Sequence, residues 1–255
     1  MRRTNPAFTL ILSGLATIGL IAGLYAALHS PLFMVRVVEV VDQAEDAPLD
    51  AKEVSALAAV PLAEVSLFDL SLATIEKRLL GHPWVKGVIL TKRFPQTLSV
   101  QVIYRNPVAL LQDPHGTLQY VDEDGVLFGV LSLNARPDLP LLSGFSADAR
   151  TDSFKTALDL LKGWSGHLWK TSNQISQITY DEEEGFQVWT TFAPAHRVVV
   201  ILGQDIDVRI DPSKWTEHLA RIDAVLGQVS TRSIPARQIY ADTHKKIVVR
   251  TVRGS

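Results

Sequence analysis

The chain has 255 residues, is 47% hydrophobic, carries a formal net charge of −2 and contains no cysteine. That apolar content fills one large domain or two small ones. The near-neutral charge excludes a nucleic-acid binder, which needs a concentrated basic surface, and the missing cysteines exclude disulfides, thiolate metal sites and cysteine nucleophiles.

From residue 4 to residue 35 there is no Asp, Glu, Lys or Arg, and His29 is the one histidine. Residues 7–28 are an apolar run of about 22 residues, enough to cross roughly 30 Å of hydrocarbon at 1.5 Å per residue. Arg2 and Arg3 precede it. The positive-inside rule then keeps a short tail, residues 1–6, in the cytoplasm and sends the rest of the chain outside. A cleaved signal peptide has a shorter apolar core and small residues at its cleavage site. Tyr25-Ala26-Ala27-Leu28 offers no such site, so an uncleaved anchor is expected. Gly19 and Gly23 form a G-x-x-x-G that would let a second helix approach closely. Glycine and alanine are common in membrane spans, and chance spacing is the simpler explanation.

His29-Ser30-Pro31 ends that helix. Residues 33–42 then read as a strand, with Val38 and Val40 on one side and Glu39 on the other. An acidic loop follows. Asp50 and Glu53 have the spacing of a capping box, opening a helix that reaches about Ala59 before Pro61. Ser71 caps a second helix, residues 72–80, whose Leu72, Ile75 and Leu79 share one face, and Gly81 stops it. A hairpin comes next. Val85, Val88 and Leu90 precede a turn at Phe94-Pro95, and Leu98, Val100 and Val102 alternate after it with Ser99, Gln101 and Ile103. Such alternation predicts one buried and one wet face. The order β-α-α-β-β in about 70 residues is a small α+β layer fold.

After the exit at Asn106-Pro107, residues 118–122 and 126–128 form a hairpin around Gly125. Residues 138–144 read as a Pro- and Gly-bounded connector. Ser153 is expected to cap a helix with Phe154, Leu158 and Leu161 on one face. Residues 175–180, 186–190 and 197–202 read as strands, Pro212 and Ser213 open a helix bearing Trp215, Leu219, Ile222 and Leu226, and residues 237–252 are two strands around residues 242–245. The second half is therefore expected to be a curved antiparallel β-domain with packed helices.

Catalytic and metal-binding signals are weak throughout. The seven histidines are scattered, with no H-E-x-x-H and no helical ligand spacing. Residues 181–184 are a dense acidic run at a turn, without the alternating ligands of a calcium loop. Residues 163–167, GWSGH, brush against a nucleophile elbow around Ser165, yet a helix precedes them where the elbow needs a strand. A membrane-anchored serine hydrolase is the remote alternative this leaves. No cofactor is expected.

One ordered series of short motifs is more informative. In the first half it comprises Val38-Glu39-Val40, Leu67-Phe68, Pro83-Trp84-Val85, Lys92-Arg93-Phe94-Pro95 and Arg105-Asn106-Pro107-Val108-Ala109. In the second it comprises Val121-Asp122-Glu123-Asp124-Gly125-Val126-Leu127-Phe128, Leu139-Pro140-Leu141 and Leu202-Gly203. The series resembles the FtsQ/DivIB family of bacterial cell division proteins, with its polypeptide-transport-associated (POTRA) domain. It departs from the family at Asp42, where a glycine is usual, and at Tyr104, where an acid is frequent. The resemblance implies a transmembrane helix at 7–28, a POTRA domain at 33–104 and a β-domain at 105–255. It implies a division scaffold of the inner membrane and septum, not an enzyme, that meets other septal proteins through its POTRA domain and FtsB, with FtsL, through the β-domain.

An edge strand offers unpaired N–H and C=O groups on which a partner strand can build. The last strand, with Lys246, Ile247, Val248, Val249 and Arg250, is the candidate edge, with Tyr240 and Ala241 beside it. Tyr240 and Ile247 would supply apolar anchors, and Lys246 and Arg250 would favour an acidic partner. The competing reading is that these strands only close the sheet, their charges guarding it. A second functional alternative is a POTRA protein of an envelope or secretion pathway, which would be spread around the envelope and not gathered at midcell.

Overall fold

The computed structural model describes residues 6–132, 134–145, 151–167, 175–192, 196–203, 212–243 and 246–251. Arg2, Arg3, His244, Lys245, Val252 and Arg253 lie outside the described residues, as do the side chains of Trp164, Ser165 and Trp215. Packing divides the chain into two units, Met1–Arg105 and Asn106–Ser255.

The first unit begins with helix α1, Pro6–Leu28, 23 residues long. Its side chains are described from residue 13 onward, and among the described residues no helix is long and apolar enough to cross a membrane. A 3-10 turn, Pro31–Phe33, leads to strand β1, Val37–Val41. The strand starts later than the apolar run suggests. Val35 N–H donates to Val65 O at 3.0 Å and Leu67 N–H to Phe33 O at 2.8 Å, so residues 33–35 pair with the 63–67 segment instead of the sheet. Helices α2, Ala51–Ala58, and α3, Leu72–Leu80, come next, then strands β2, Val85–Arg93, and β3, Thr97–Tyr104.

Local chemistry accounts for these helix boundaries. Asp50 Oδ1 accepts from Glu53 N–H at 2.7 Å while Glu53 Oε2 accepts from Asp50 N–H at 2.8 Å, a reciprocal capping box. Ser71 Oγ accepts from Thr74 N–H. Gly81 ends α3 in a right-handed conformation, φ −68°, not in the left-handed one that usually selects glycine at a helix end. A Cβ there would stand 3.1 Å from Arg78 O, a tight contact that a shift of a few tenths of an ångström would relieve. Asp42 has φ 53°, a left-handed position that a short polar side chain tolerates in place of glycine, and its Oδ2 accepts from Gln101 Nε2 at 3.0 Å.

The sheet order is β1-β3-β2, with β1 parallel to β3 and β2 antiparallel to it. Val54, Ala58, Ile75 and Leu79 of the helices pack on Leu98, Val100 and Val102 of β3 in one buried cluster. The alternation along β3 is less clean than expected. Ser99 is buried because β3 is the central strand, whereas Ile103 is exposed.

The second unit is one sheet in the order β12-β11-β10-β9-β8-β7-β4-β5-β6. Its elements are β4 Pro107–Gln112, β5 Leu118–Asp122, β6 Leu127–Val130, β7 Leu141–Ser143, helix α4 Asp152–His167, β8 Ile175–Asp181, β9 Gly185–Phe192, β10 His196–Gly203, helix α5 Pro212–Thr231, β11 Ala236–Thr243 and β12 Lys246–Thr251. The expectation of an antiparallel sheet is corrected: β4 with β7, β7 with β8, and β10 with β11 are parallel pairs. Helices α4 and α5 are crossovers, and a crossover returns the chain to the same strand direction. The connector at 138–144 is corrected too, since it contains β7 inside the sheet. Gly144 follows it at φ 79°, and a Cβ there would lie 2.1 Å from Tyr180 O, so that only glycine lets β7 and β8 approach.

Both helices pack on one face of this sheet. Phe154, Ala157, Leu158 and Leu161 of α4 and Leu219, Ile222, Leu226 and Val229 of α5 share a buried cluster with Leu142, Ile178, Val188, Val200 and Ile239. The cap of α4 is Thr151, not Ser153. Thr151 Oγ1 accepts from Phe154 N–H at 3.4 Å and from Ser153 Oγ at 3.3 Å. Residues 163–167 continue α4 to its end, so no strand leads into Ser165 and no nucleophile elbow forms there.

Candidate partner-binding edge

Strand β12 stands at one end of the nine-stranded sheet, hydrogen-bonded to β11 on one side. The register pairs Tyr240 with Val248, Ile239 with Val249 and Gln238 with Arg250. β11 is held from behind. Ile239 and Ala241 are buried in the cluster beneath α5, and the buried His218 Nε2–H of α5 donates to Ala241 O at 2.8 Å. A carbonyl can only accept, so this contact places the proton on Nε2.

Alternation along the strand then decides which way each side chain of β12 faces. Ile247 and Val249 pack against the core cluster. Lys246, Val248 and Arg250 are exposed, and Val248 is 56% exposed. The candidate anchor Ile247 thus lies on the core side, and the apolar side chain that β12 offers outward is Val248. Tyr240 is half-buried on the same face, with its hydroxyl donating to Gln238 Oε1 at 3.3 Å; Arg250 Nη1 donates to that oxygen at 3.4 Å. The outward surface of β11 and β12 is therefore an apolar pair, Tyr240 and Val248, bordered by Lys246 and Arg250.

Elsewhere in the second unit the acidic turn is tied to its own backbone. Asp181 Oδ1 accepts from Glu183 N–H at 2.8 Å and from Glu184 N–H at 3.0 Å, which lowers the carboxyl pKa below the usual aspartate value. Asp113 Oδ1 accepts from Thr117 N–H and His115 N–H, both at 2.8 Å, with the same consequence. Among the described residues no group of three or more His, Asp or Glu side chains is placed to hold a metal ion. In α1, a Cβ added at Gly19 or Gly23 would meet nothing within 4 Å.

Two family models match the chain. The model of the cell division protein FtsQ/DivIB C-terminal region matches residues 109–243, and that of the FtsQ-type POTRA domain matches residues 35–103. The first match stops before β12. Among similar proteins, the cell division protein FtsQ of Geobacter sp. (strain M21) is 28% identical over 221 residues, 80% of this chain and 76% of its own length. FtsQ of Geotalea daltonii is 25% identical over 193 residues, 73% of this chain and 66% of its own length. FtsQ of Zymomonas mobilis subsp. mobilis is 30% identical over 161 residues, 57% of this chain and 48% of its own length.

Proposed function

The chain belongs to the FtsQ/DivIB family of cell division proteins, and from that premise we propose that it is a bitopic, non-catalytic scaffold of the septal machinery. Its parts are a cytoplasmic tail at 1–6, a span at 7–28, a POTRA domain at 33–104 that meets other septal proteins, and a β-domain at 105–255 that binds FtsB within a complex with FtsL. It resides in the cytoplasmic membrane at the division site, with the bulk of the chain outside.

The span is supported by residues 7–28 taken whole, which carry no charge. Leu15, Ile18, Leu20, Ile21, Leu24 and Tyr25 are 61–75% exposed. At 100° per residue these six positions cover about 220° of the helix, and the remaining arc carries Ala16, Gly19 and Gly23, so no face presents a charge to water. At 1.5 Å per residue the 23-residue helix is about 34 Å long, matching the hydrocarbon thickness.

The observation that carries partner binding is the end position of β12, whose outer N–H and C=O groups face away from β11. A partner strand added there would bury Tyr240 and Val248, with Lys246 and Arg250 facing its acidic side chains. Successive N–H groups of a strand point to opposite edges. One of Val248 and Val249 therefore donates outward and the other toward β11, and proline at each separates the two jobs. Of Val248→Pro and Val249→Pro, the variant lacking the outward donor is expected to lose about tenfold or more in affinity for purified FtsB–FtsL while remaining folded. Undiminished binding by both variants would refute strand addition at this edge.

A further inference from the structure

Three aromatic rings meet just beyond the end of α1, within the first unit. They come from three separate segments: Phe33 from the 3-10 turn, Phe68 from the stretch before α3, and Phe94 from the tip between β2 and β3. Ring centroids are 5.2 Å apart for Phe33 and Phe68, 5.0 Å for Phe68 and Phe94, and 6.3 Å for Phe33 and Phe94. None of the three belongs to the buried core of the unit. Phe68 is 42% exposed, Phe94 55% and the neighbouring Leu32 59%. A contiguous exposed apolar group of this kind marks an interaction site more often than a scattered residue does.

This cluster is fastened to the end of α1. The buried Ser66 donates from Oγ to Leu28 O, the last carbonyl of α1, at 2.9 Å. The His29 ring stacks on Tyr25 with centroids 3.9 Å apart, and its Nε2 lies 2.9 Å from Asp69 Oδ2. Gln96 Nε2 donates to Pro31 O at 3.3 Å, and Arg36 N–H donates to Gln96 O at 2.9 Å, holding the hairpin tip to the turn. Phe68 sits two residues from one of these bonds and Phe94 two residues from another. The rings therefore cannot move far from the level at which α1 ends. Cations border the cluster: Lys92 Nζ donates to Phe68 O at 3.4 Å, and Arg36 is exposed beside the hairpin tip.

We propose that Leu32, Phe68 and Phe94, seated on Phe33, form a lipid-contacting face that rests in the headgroup layer around the exit of α1, with Lys92 and Arg36 facing anionic headgroups. The inference rests on the reading of α1 as a membrane span. Its physical basis is that aromatic and leucine side chains beside basic ones bury their apolar parts a few ångströms into the interface while the charges stay wet. Such a face fixes how the first unit stands on the membrane, which a single flexible tether would leave free.

The test uses the full chain in nanodiscs of phosphatidylethanolamine and phosphatidylglycerol. The chain has no cysteine, so a single one can carry an environment-sensitive fluorophore without interference. Four labelled variants are compared in plain and brominated lipids: Leu32→Cys and Phe94→Cys in the face, Leu20→Cys within α1, and Ile89→Cys on β2. Ile89 is 49% exposed and lies about 16 Å along the strand from the tip. Brominated lipid is expected to remove more than about half of the fluorescence at positions 20, 32 and 94 and to leave position 89 unchanged. Quenching at 20 with none at 32 and 94 overturns the proposal while the span stands. Equal quenching at 89 overturns it as well, since no particular face would then meet lipid. No quenching at 20 refutes the span itself, and the proposal with it.

Discussion

The two units build their sheets from contacts of different reach. In the first, β2 and β3 are joined by a tight turn at residues 94–96, both helices carry their own side-chain caps, and one long-range pairing, β1 with β3, completes the sheet. In the second, a three-residue strand, β7, joins β4-β5-β6 to β8-β9-β10-β11-β12 through two parallel pairings. The contrast shows where each unit is vulnerable. The first is specified by neighbours in sequence, so single local changes weaken it by small steps. The second depends on one short seam whose partners are distant in the chain, and on a glycine beside that seam with no room for a side chain.

The largest expected effects separate the two units directly. Leu98 on β3 and Leu142 on β7 are both fully buried, each in a different core cluster. Leu98→Ala and Leu142→Ala should each cost about 2–5 kcal/mol, the usual range for a leucine cavity. The loss should fall in the first unit for Leu98 and in the second for Leu142. Hydrogen exchange on the full chain reads this out, and equal loss of protection in both units from either variant would mean that they fold as one.

A smaller effect tests the local character of the first unit. Asp50→Ala removes half of the capping box of α2 and should cost about 1 kcal/mol. Amides of α2 should exchange faster, while those of the second unit should be unaffected; a change in the second unit would break the contrast.

The smallest effect concerns the turns of the second unit. Backbone N–H groups lower the pKa of Asp113 and Asp181. A carboxyl whose folded pKa is lowered adds stability above its unfolded pKa, and that stability disappears as pH falls through the folded value. Carboxyl NMR titration should put both groups below the ordinary aspartate range near 3.9. Because Asp181 is exposed and Asp113 is half-buried at the surface, the loss on acidification should be slight and confined to the turns at 113–117 and 181–185. Midpoints at or above the ordinary range would show that these hydrogen bonds do not persist in solution.

Much of the first unit was legible because its signals are short-range. The capping box at Asp50 and Glu53, the cap at Ser71 and the alternation of Leu98, Val100 and Val102 each act within a few residues. The start of β1 was not legible. Residues 33–35 look like a strand and are diverted by backbone bonds to Val65 and Leu67, some thirty residues on. In the second unit the hairpin at Gly125 and the helix of Leu219, Ile222 and Leu226 were readable. β7 was hidden, since three residues between a proline and a glycine carry no period. For the candidate edge, composition pointed to the last strand, but the side chain facing out from it is Val248 and not Ile247. Sequence alternation names two sets of residues and leaves open which set faces the core.

The amino-acid sequence by itself determined the apolar first segment, the helix boundaries of the first unit, the hairpins and the family, because each is carried by side chains close together or by motifs in a set order. Tertiary structure alone decided the strand order, the parallel seam at β7, the end position of β12 and the meeting of Phe33, Phe68 and Phe94. These depend on which distant backbone groups find one another. That choice is made by burying a common core, and no short window of residues encodes it.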